Sequence, residues 1–261
     1  MYKTIIVGGT GDMGKLICET FKEDLDVYIS SRDPIKAKKM AEDLGVNYAD
    51  NEDFKDADII IISVPIDETL SNCKKIAPQM KKNALLIEIS SVKTGIVDEL
   101  ETPQHIEYIS IHPLFGPSGS FKDQNIILIP VQEKKWLGFL KELLEKKGSN
   151  ISVVDYKTHD KIMSNVQVIH HFSYLCLGVF LAKNPISSDF FTRSYKKTID
   201  SFKNYEDNLN IMVEIQKLNP YTDEVRKQFL DLVENMSKID HQEFKKVIFE
   251  SFSKLQETYN D

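Results

Sequence analysis

The chain has little cysteine. Cys18, Cys73 and Cys176 are scattered through 261 residues with no paired spacing. That excludes a disulfide framework and a cysteine zinc site, and it suits a reducing compartment. Basic charge is not in excess either. The net charge is −7, with 33 Lys and Arg against 40 Asp and Glu, which argues against a general nucleic-acid binder. The six histidines form no metal set, because no H-x-x-x-H pair is supported by carboxylates. The N-terminus lacks a signal-peptide pattern and already reads as a strand. No apolar run approaches the length of a membrane span. A cytoplasmic location without membrane contact is therefore expected. Repeats and low-complexity tracts are also missing. What remains is an apolar fraction of 41%, enough for the core of one large or two smaller domains.

The first half alternates strand and helix signals. Apolar strands are expected at Thr4–Val7, Asp26–Ser30, Val46–Tyr48, Asp58–Pro65, Ala84–Ile89, Ile106–Ile111, Ile126–Pro130 and Ile151–Val154. Between them, helices are expected at Lys15–Lys22, Pro34–Leu44, Asp67–Met80 (interrupted near Pro78) and Lys134–Lys147. Asp33 and Pro34 read as the N-cap and first turn of the second helix, and Gly45 as its stop. Repeated βα units imply a doubly wound parallel sheet, a Rossmann domain over 1–155. From Tyr156 on, strand signals vanish. Helices are expected at His159–Ala182, Phe190–Lys217, Thr222–Met236 and Gln242–Tyr259, an all-helical domain over 156–261. A small helical domain with much apolar surface completes its core by dimerising, so a homodimer through this part is expected.

Behind the first strand stands Gly8-Gly9-Thr10-Gly11-Asp12-Met13-Gly14, in which Gly9, Gly11 and Gly14 fit G-x-G-x-x-G. Strand, glycine turn and helix in this order suit a dinucleotide: backbone approaches the pyrophosphate, and the helix N-terminus offers N–H groups and a positive dipole end. Thr10, Asp12 and Met13 belong to the same turn. The end of the second strand decides between NAD and NADP. NAD enzymes place a carboxylate there, about 20 residues past the first glycine. Here Ser30, Ser31 and Arg32 occupy that place. Hydroxyls and a guanidinium suit a 2′-phosphate, which points to NADP with NAD as the alternative.

Ligands of such sheets lie at the carboxyl ends of the strands. Ser63, Val64 and Pro65 close the fourth strand, beside the expected ribose and nicotinamide. Ser91 follows the fifth. His112 ends the sixth and is the strongest candidate base, because an imidazole titrates near neutral pH and can take a hydroxyl proton as hydride leaves the same carbon. His170 and His171 are adjacent and point about 100° apart on a helix, so one of them faces the cleft easily.

Several of these segments resemble prephenate dehydrogenases, the hydride-transferring enzymes of tyrosine biosynthesis. They are the glycine loop, Ser91-Val92-Lys93, His112-Pro113-Leu114-Phe115-Gly116-Pro117 and Thr158-His159-Asp160-Lys161-Ile162-Met163 continuing to His170-His171-Phe172. The glycine loop with Ser30-Ser31-Arg32-Asp33-Pro34 is also similar to the NADP site of deazaflavin-dependent NADP reductases. The resemblance implies oxidative decarboxylation of prephenate, or of arogenate, to the 4-hydroxyphenyl product. It implies that His112 takes the 4-hydroxyl proton, that Ser91 supports that hydroxyl or His112, and that Gln167 and His171 shape the substrate pocket. Family members bind the substrate carboxylates with arginine from the second domain. Arg193, with Lys196 and Lys197 behind it, is the candidate here. Two alternatives keep the cofactor: another hydroxy acid or an imine as substrate, or an NADP-binding regulatory protein without turnover.

Overall fold

The computed structural model describes residues 1–117, 119–203 and 208–259. Its first part is an eight-stranded sheet: β1 (Lys3–Val7), β2 (Asp26–Ser30), β3 (Asn47–Tyr48), β4 (Ile59–Ile62), β5 (Leu85–Glu88), β6 (Glu107–Pro113), β7 (Asn125–Gln132) and β8 (Asn150–Val153). The spatial order is β3-β2-β1-β4-β5-β6-β7-β8. The chain reverses direction across the sheet between β1 and β4, and this switch point opens a crevice at the strands' carboxyl ends.

Central strands buried on both faces need apolar residues at every position. The run Ile59–Ile62 is fully buried and divides its side chains between two layers. Ile59 and Ile61 join Ile6, Ile29, Leu85 and Ile87 under the helices α1 (Asp12–Phe21), α2 (Pro34–Leu44) and α5 (Trp136–Lys146). Ile60 and Ile62 join Ile5, Val7 and Leu86 on the other face. There they meet Cys73 and Ile76 of α3 (Ile66–Ile76) and Leu100, which follows α4 (Thr94–Glu99). Asp33 caps α2 by accepting from Ile35 N and Lys36 N, and Gly45 ends it at a left-handed φ of 66°. The expected break near Pro78 is a separate turn, Ala77–Gln79, after α3.

Two expectations change. The strand β7 runs antiparallel to β6, with His112 opposite Ile127. A parallel return needs a crossover of a dozen or more residues, usually a helix, and the chain from Leu114 to Gln124 forms none. Second, α1 begins at Asp12 rather than Lys15, so the glycine turn runs straight into the helix.

The helical part starts with α6 (Tyr156–Met163), capped by Asp155, whose side chain accepts from Lys157 N and Thr158 N. It is held to the sheet: Met163 packs with Ile127 and Ile129 of β7. A π-type segment, Ser164–Ile169, leads into α7 (His170–Lys183). Contrary to the sequence expectation, this continuous helix, Tyr156–Lys183, is long and apolar enough to cross a membrane by length and composition. The helix expected over Phe190–Lys217 is divided. Phe190 ends a short turn capped by Ser187, and Thr192 accepts from Tyr195 N to start α8 (Arg193–Lys203). Residues 204–207 of that expectation lie outside the described residues. Then follow α9 (Leu209–Leu218), α10 (Thr222–Met236) and α11 (His241–Tyr259).

Candidate active site

The glycine loop is shaped by close backbone approaches. Gly8 has φ 81°, and a Cβ there would lie 2.2 Å from the Ser63 carbonyl oxygen. A Cβ on Gly14 would lie 2.5 Å from Gly8 O and 2.7 Å from Gly9 Cα, so helix and loop touch only because both positions lack side chains. Gly8 was not among the glycines singled out by the motif, although its positive φ makes it the most constrained. Its N–H and that of Gly9 both donate to Ser30 O, at 2.9 and 3.3 Å. The N-terminus of α1, behind Gly11, carries no side-chain cap. A backbone cradle with an uncapped helix end fits the diphosphate of a dinucleotide. Asp12 and Met13 lie in the first turn of that helix.

Ser30 is buried and contributes its carbonyl to the loop. The Ser31 and Thr10 hydroxyls meet at 3.0 Å across the loop. Arg32 is exposed and forms an ion pair with Glu68 of α3 at 3.0 Å. Ser63 donates its N–H to Val7 O at 2.8 Å, Val64 packs into the core layer, and Pro65 precedes α3. All these residues therefore gather at one edge of the sheet, around β1, β2 and β4.

The next two strand ends carry a buried polar network. His112 lies within β6 and is 2% exposed. Its Nδ1 lies 2.8 Å from Nε2 of His159, whose Nδ1 lies 2.8 Å from Asp160 Oδ1. Both α6 residues are fully buried. Behind His112, the Lys93 ammonium, also fully buried, donates to Glu88 Oε1 at 3.1 Å and to Ile111 O at 2.9 Å. Ser110 Oγ donates to the same Glu88 oxygen, and Ser90 N to the other at 2.7 Å. Asp160 holds the turn after β5 by accepting from the Lys93 and Thr94 backbones. Ser91, half-buried, lies in that turn.

Burial pushes the His112 imidazole well below its usual pKa, and the Lys93 and His159 charges act in the same direction. His112 is thus neutral at neutral pH and can accept a proton. Burial also lowers Lys93, against the pull of Glu88. Burial raises the Asp160 carboxyl, but hydrogen bonds from His159 and Thr94 outweigh it and hold it below the usual carboxylate range.

On the helical side, Gln167 lies in the π-type segment and His171 at the start of α7. Gln167 Oε1 and His171 Nδ1 are buried without a hydrogen-bond partner among the described residues. Buried orphan polar atoms are rare and point to an absent ligand or water. His171 is half-buried while His170 is exposed. Burial, and then His170, lower the pKa of His171. A small apolar contact of Val92, Val168, Ile215 and Val225 ties the turn of Ser91 to this helix and to α9 and α10.

Arg193 is not brought to this group. It is exposed at the start of α8, beside Thr192, Ser194 and Lys197. That helix packs along the far half of α7, where Phe202 meets Gly178. The half-buried cation beside the Gln167 helix is Arg226 of α10. Its Nε and Nη2 donate to Gln216 Oε1 at 3.0 and 2.6 Å, and its guanidinium lies 4.7 Å from the Phe172 ring centre. Gln216 in turn donates to Val168 O at 2.8 Å. Nothing in the sequence around Arg226 marked it, because a half-buried arginine on an amphipathic helix reads as a surface residue.

Residues 19–153 match the family model for the prephenate dehydrogenase nucleotide-binding domain. The chain belongs to the prephenate dehydrogenase family. It is 30% identical, over 94% of its length, to a probable arogenate/prephenate dehydrogenase of Methanocaldococcus jannaschii, and spans 59% of that protein. It is 26% identical over 72% of its length to the T-protein of Haemophilus influenzae, of which it spans 47%. The chain thus spans about half to three-fifths of these curated relatives. Among solved structures, prephenate dehydrogenase from Aquifex aeolicus in complex with hydroxyphenyl propionate and NAD+ superposes with a TM-score of 0.76. That match has 20% identity and covers 99% of this chain and 98% of the other. The likeness establishes a shared fold, a Rossmann-like nucleotide-binding sheet followed by a helical part.

Proposed function

We propose that this family member catalyses the oxidative decarboxylation of prephenate to 4-hydroxyphenylpyruvate and CO2 with NADP. The observation that carries the reading is His112: a buried, neutral imidazole at a strand's carboxyl end, one strand from the turn of Ser91. The cofactor is held by the glycine cradle of Gly8, Gly9 and Gly14 and by the uncapped N-terminus of α1. Thr10, Ser31 and Arg32 take the 2′-phosphate, and Ser63, Val64 and Pro65 flank the ribose and nicotinamide. Support for NADP is the absence of a carboxylate at the end of β2, since Asp33 is spent on capping α2. When bound, the nicotinamide accepts the hydride.

The protein's own task is alignment plus one proton. His112 takes the proton of the substrate 4-hydroxyl, and Ser91 supports that hydroxyl. Loss of CO2 makes the ring aromatic, so the substrate supplies much of the driving force. Gln167 and His171 line the pocket with their orphan polar atoms. Arg226 is the better placed cation for a substrate carboxylate, because it is half-buried beside their helix while Arg193 is exposed. Arogenate differs only by an amino group at the side chain's keto position, and the same residues would meet it.

The domain division near Asp155 and a homodimer through the helical part belong to the same proposal. Large apolar side chains stay exposed there in a single copy, among them Phe180, Phe190, Phe249 and Phe252, and a second copy would cover them. The proposal is tested by His112→Asn, assayed with prephenate and NADP. Turnover should fall about 10²–10⁴-fold while cofactor affinity holds. Unchanged turnover would remove His112 from its role.

A further inference from the structure

We propose that His159 and Asp160 are positioning residues that fix the tautomer of His112, so that its Nε2 carries the lone pair that accepts the proton. The argument follows from counting donors along the buried chain. Asp160 receives hydrogen bonds from the Lys93 N–H at 3.1 and 3.2 Å, from the Thr94 N–H at 2.8 Å and from the Thr94 hydroxyl at 2.7 Å. A carboxyl group surrounded by donors is an ionised acceptor. His159 Nδ1, 2.8 Å from Oδ1, must therefore carry a proton. A neutral His159 then presents a bare Nε2. His112 Nδ1 lies 2.8 Å from that nitrogen and must be the donor. In a neutral imidazole one nitrogen is then left bare, and it is His112 Nε2. That nitrogen has no partner among the described residues.

The charged groups around the chain leave this assignment intact. The Lys93 ammonium is spent on Glu88 and the Ile111 carbonyl. Glu88 is spent on Lys93, Ser110 and Ser90 N. Tyr108 lies near Glu88 rather than near the histidines. The four hydrogen bonds to Asp160 from Lys93 and Thr94 satisfy its charge without a protonated His159. When His112 gains its proton, Nδ1–H still donates to His159, and the Asp160 charge stands at the end of the chain. No electron moves and no covalent bond forms between the histidines: one proton passes from substrate oxygen to His112 Nε2. This assignment rests on the proposed role of His112 as the proton acceptor.

Protein labelled with ¹⁵N at histidine reports the tautomers directly. Long-range ¹H–¹⁵N spectra near pH 7.5, assigned with His112→Asn and His159→Gln, should show both residues neutral and protonated at Nδ1. A His112 protonated at Nε2, or a His159 imidazolium, would overturn the proposal. A kinetic arm uses side chains that differ in acceptor capacity. In His159→Gln the amide oxygen can still accept from His112 Nδ1–H, so kcat should stay within about tenfold. In His159→Leu no acceptor remains, and kcat should fall about 10²–10³-fold with KM little changed. Equal kcat in the two folded variants would contradict the assignment. If the leucine variant does not fold, the wild-type spectra decide. The spectra need no substrate, so a failure of prephenate turnover would count against the proposed function and leave the tautomer result standing.

Discussion

At the residue scale, the site rests on side chains whose ordinary chemistry is altered by burial. His112 and His171 both titrate below the usual histidine value. The unfolded chain takes up their protons near pH 6.5, and the folded chain does not. Their contribution to stability is therefore complete above about pH 6.5 and is lost as pH falls through lower values. Urea midpoints should drop between pH 7.5 and 5.5. For the same reason, turnover should stay flat as pH falls through 6.5; an acid limb at 6.5 would mean a solvated His112. The cation that holds the substrate is decided by comparing two variants. Arg226→Ala should raise the KM for prephenate about 10–100-fold, the loss of a charge-assisted hydrogen bond. Arg193→Ala should leave it nearly unchanged, and the opposite pattern would return the role to Arg193. The glycine loop, Ser30-Ser31-Arg32, Ser91 and His112 were legible in the sequence because each belongs to a local pattern at a strand end. The pairing of His112 with His159 was not, because 47 residues separate them and only the packing of α6 against the sheet joins them. Arg226 was not legible either, since nothing local distinguishes a half-buried guanidinium from a solvated one.

At the scale of elements, strand and helix periodicity carried the sheet, and the misses have physical causes. Apolar runs mark strands but not their direction, so the reversal at β7 followed only from a connection that forms no crossover helix. The helix expected from Phe190 to Lys217 had the right apolar spacing, but Ser187 and Thr192 supply two separate starts. A buried carboxylate ties β6 to α5: Glu107 Oε2 accepts from the backbones of Lys134, Lys135 and Trp136 at 2.7, 3.0 and 3.2 Å. An ionised group there also favours the positive end of the helix. Glu107→Ala should cost about 2–3 kcal/mol, read as a lower denaturant midpoint with an unchanged slope. A smaller loss than 1 kcal/mol would show that water replaces the carboxylate. The glycine loop makes a sharper demand. A Cβ at Gly14 meets backbone on two sides, so Gly14→Ala should weaken dinucleotide binding by roughly tenfold or more, about 1.4 kcal/mol, measured by titration calorimetry.

At the scale of the whole molecule, the sheet part buries its apolar residues and the helical part does not. The helix Tyr156–Lys183 is anchored at its start by Asp160 and Met163 and leaves Val179 and Phe180 exposed further on. The further helices expose Phe249, Phe252 and Leu255 as well. Such an apolar surface is characteristic of an obligate interface. Sedimentation should give twice the 30.0 kDa chain mass; a monomer at micromolar concentration would contradict the dimer. The cofactor cradle, the buried base and the orphan atoms of Gln167 and His171 converge on one reaction. The most direct test follows reduced nicotinamide in the purified protein with prephenate and either NADP or NAD at neutral pH. The account predicts turnover with prephenate and a higher kcat/KM with NADP; no reduction of either cofactor would contradict it.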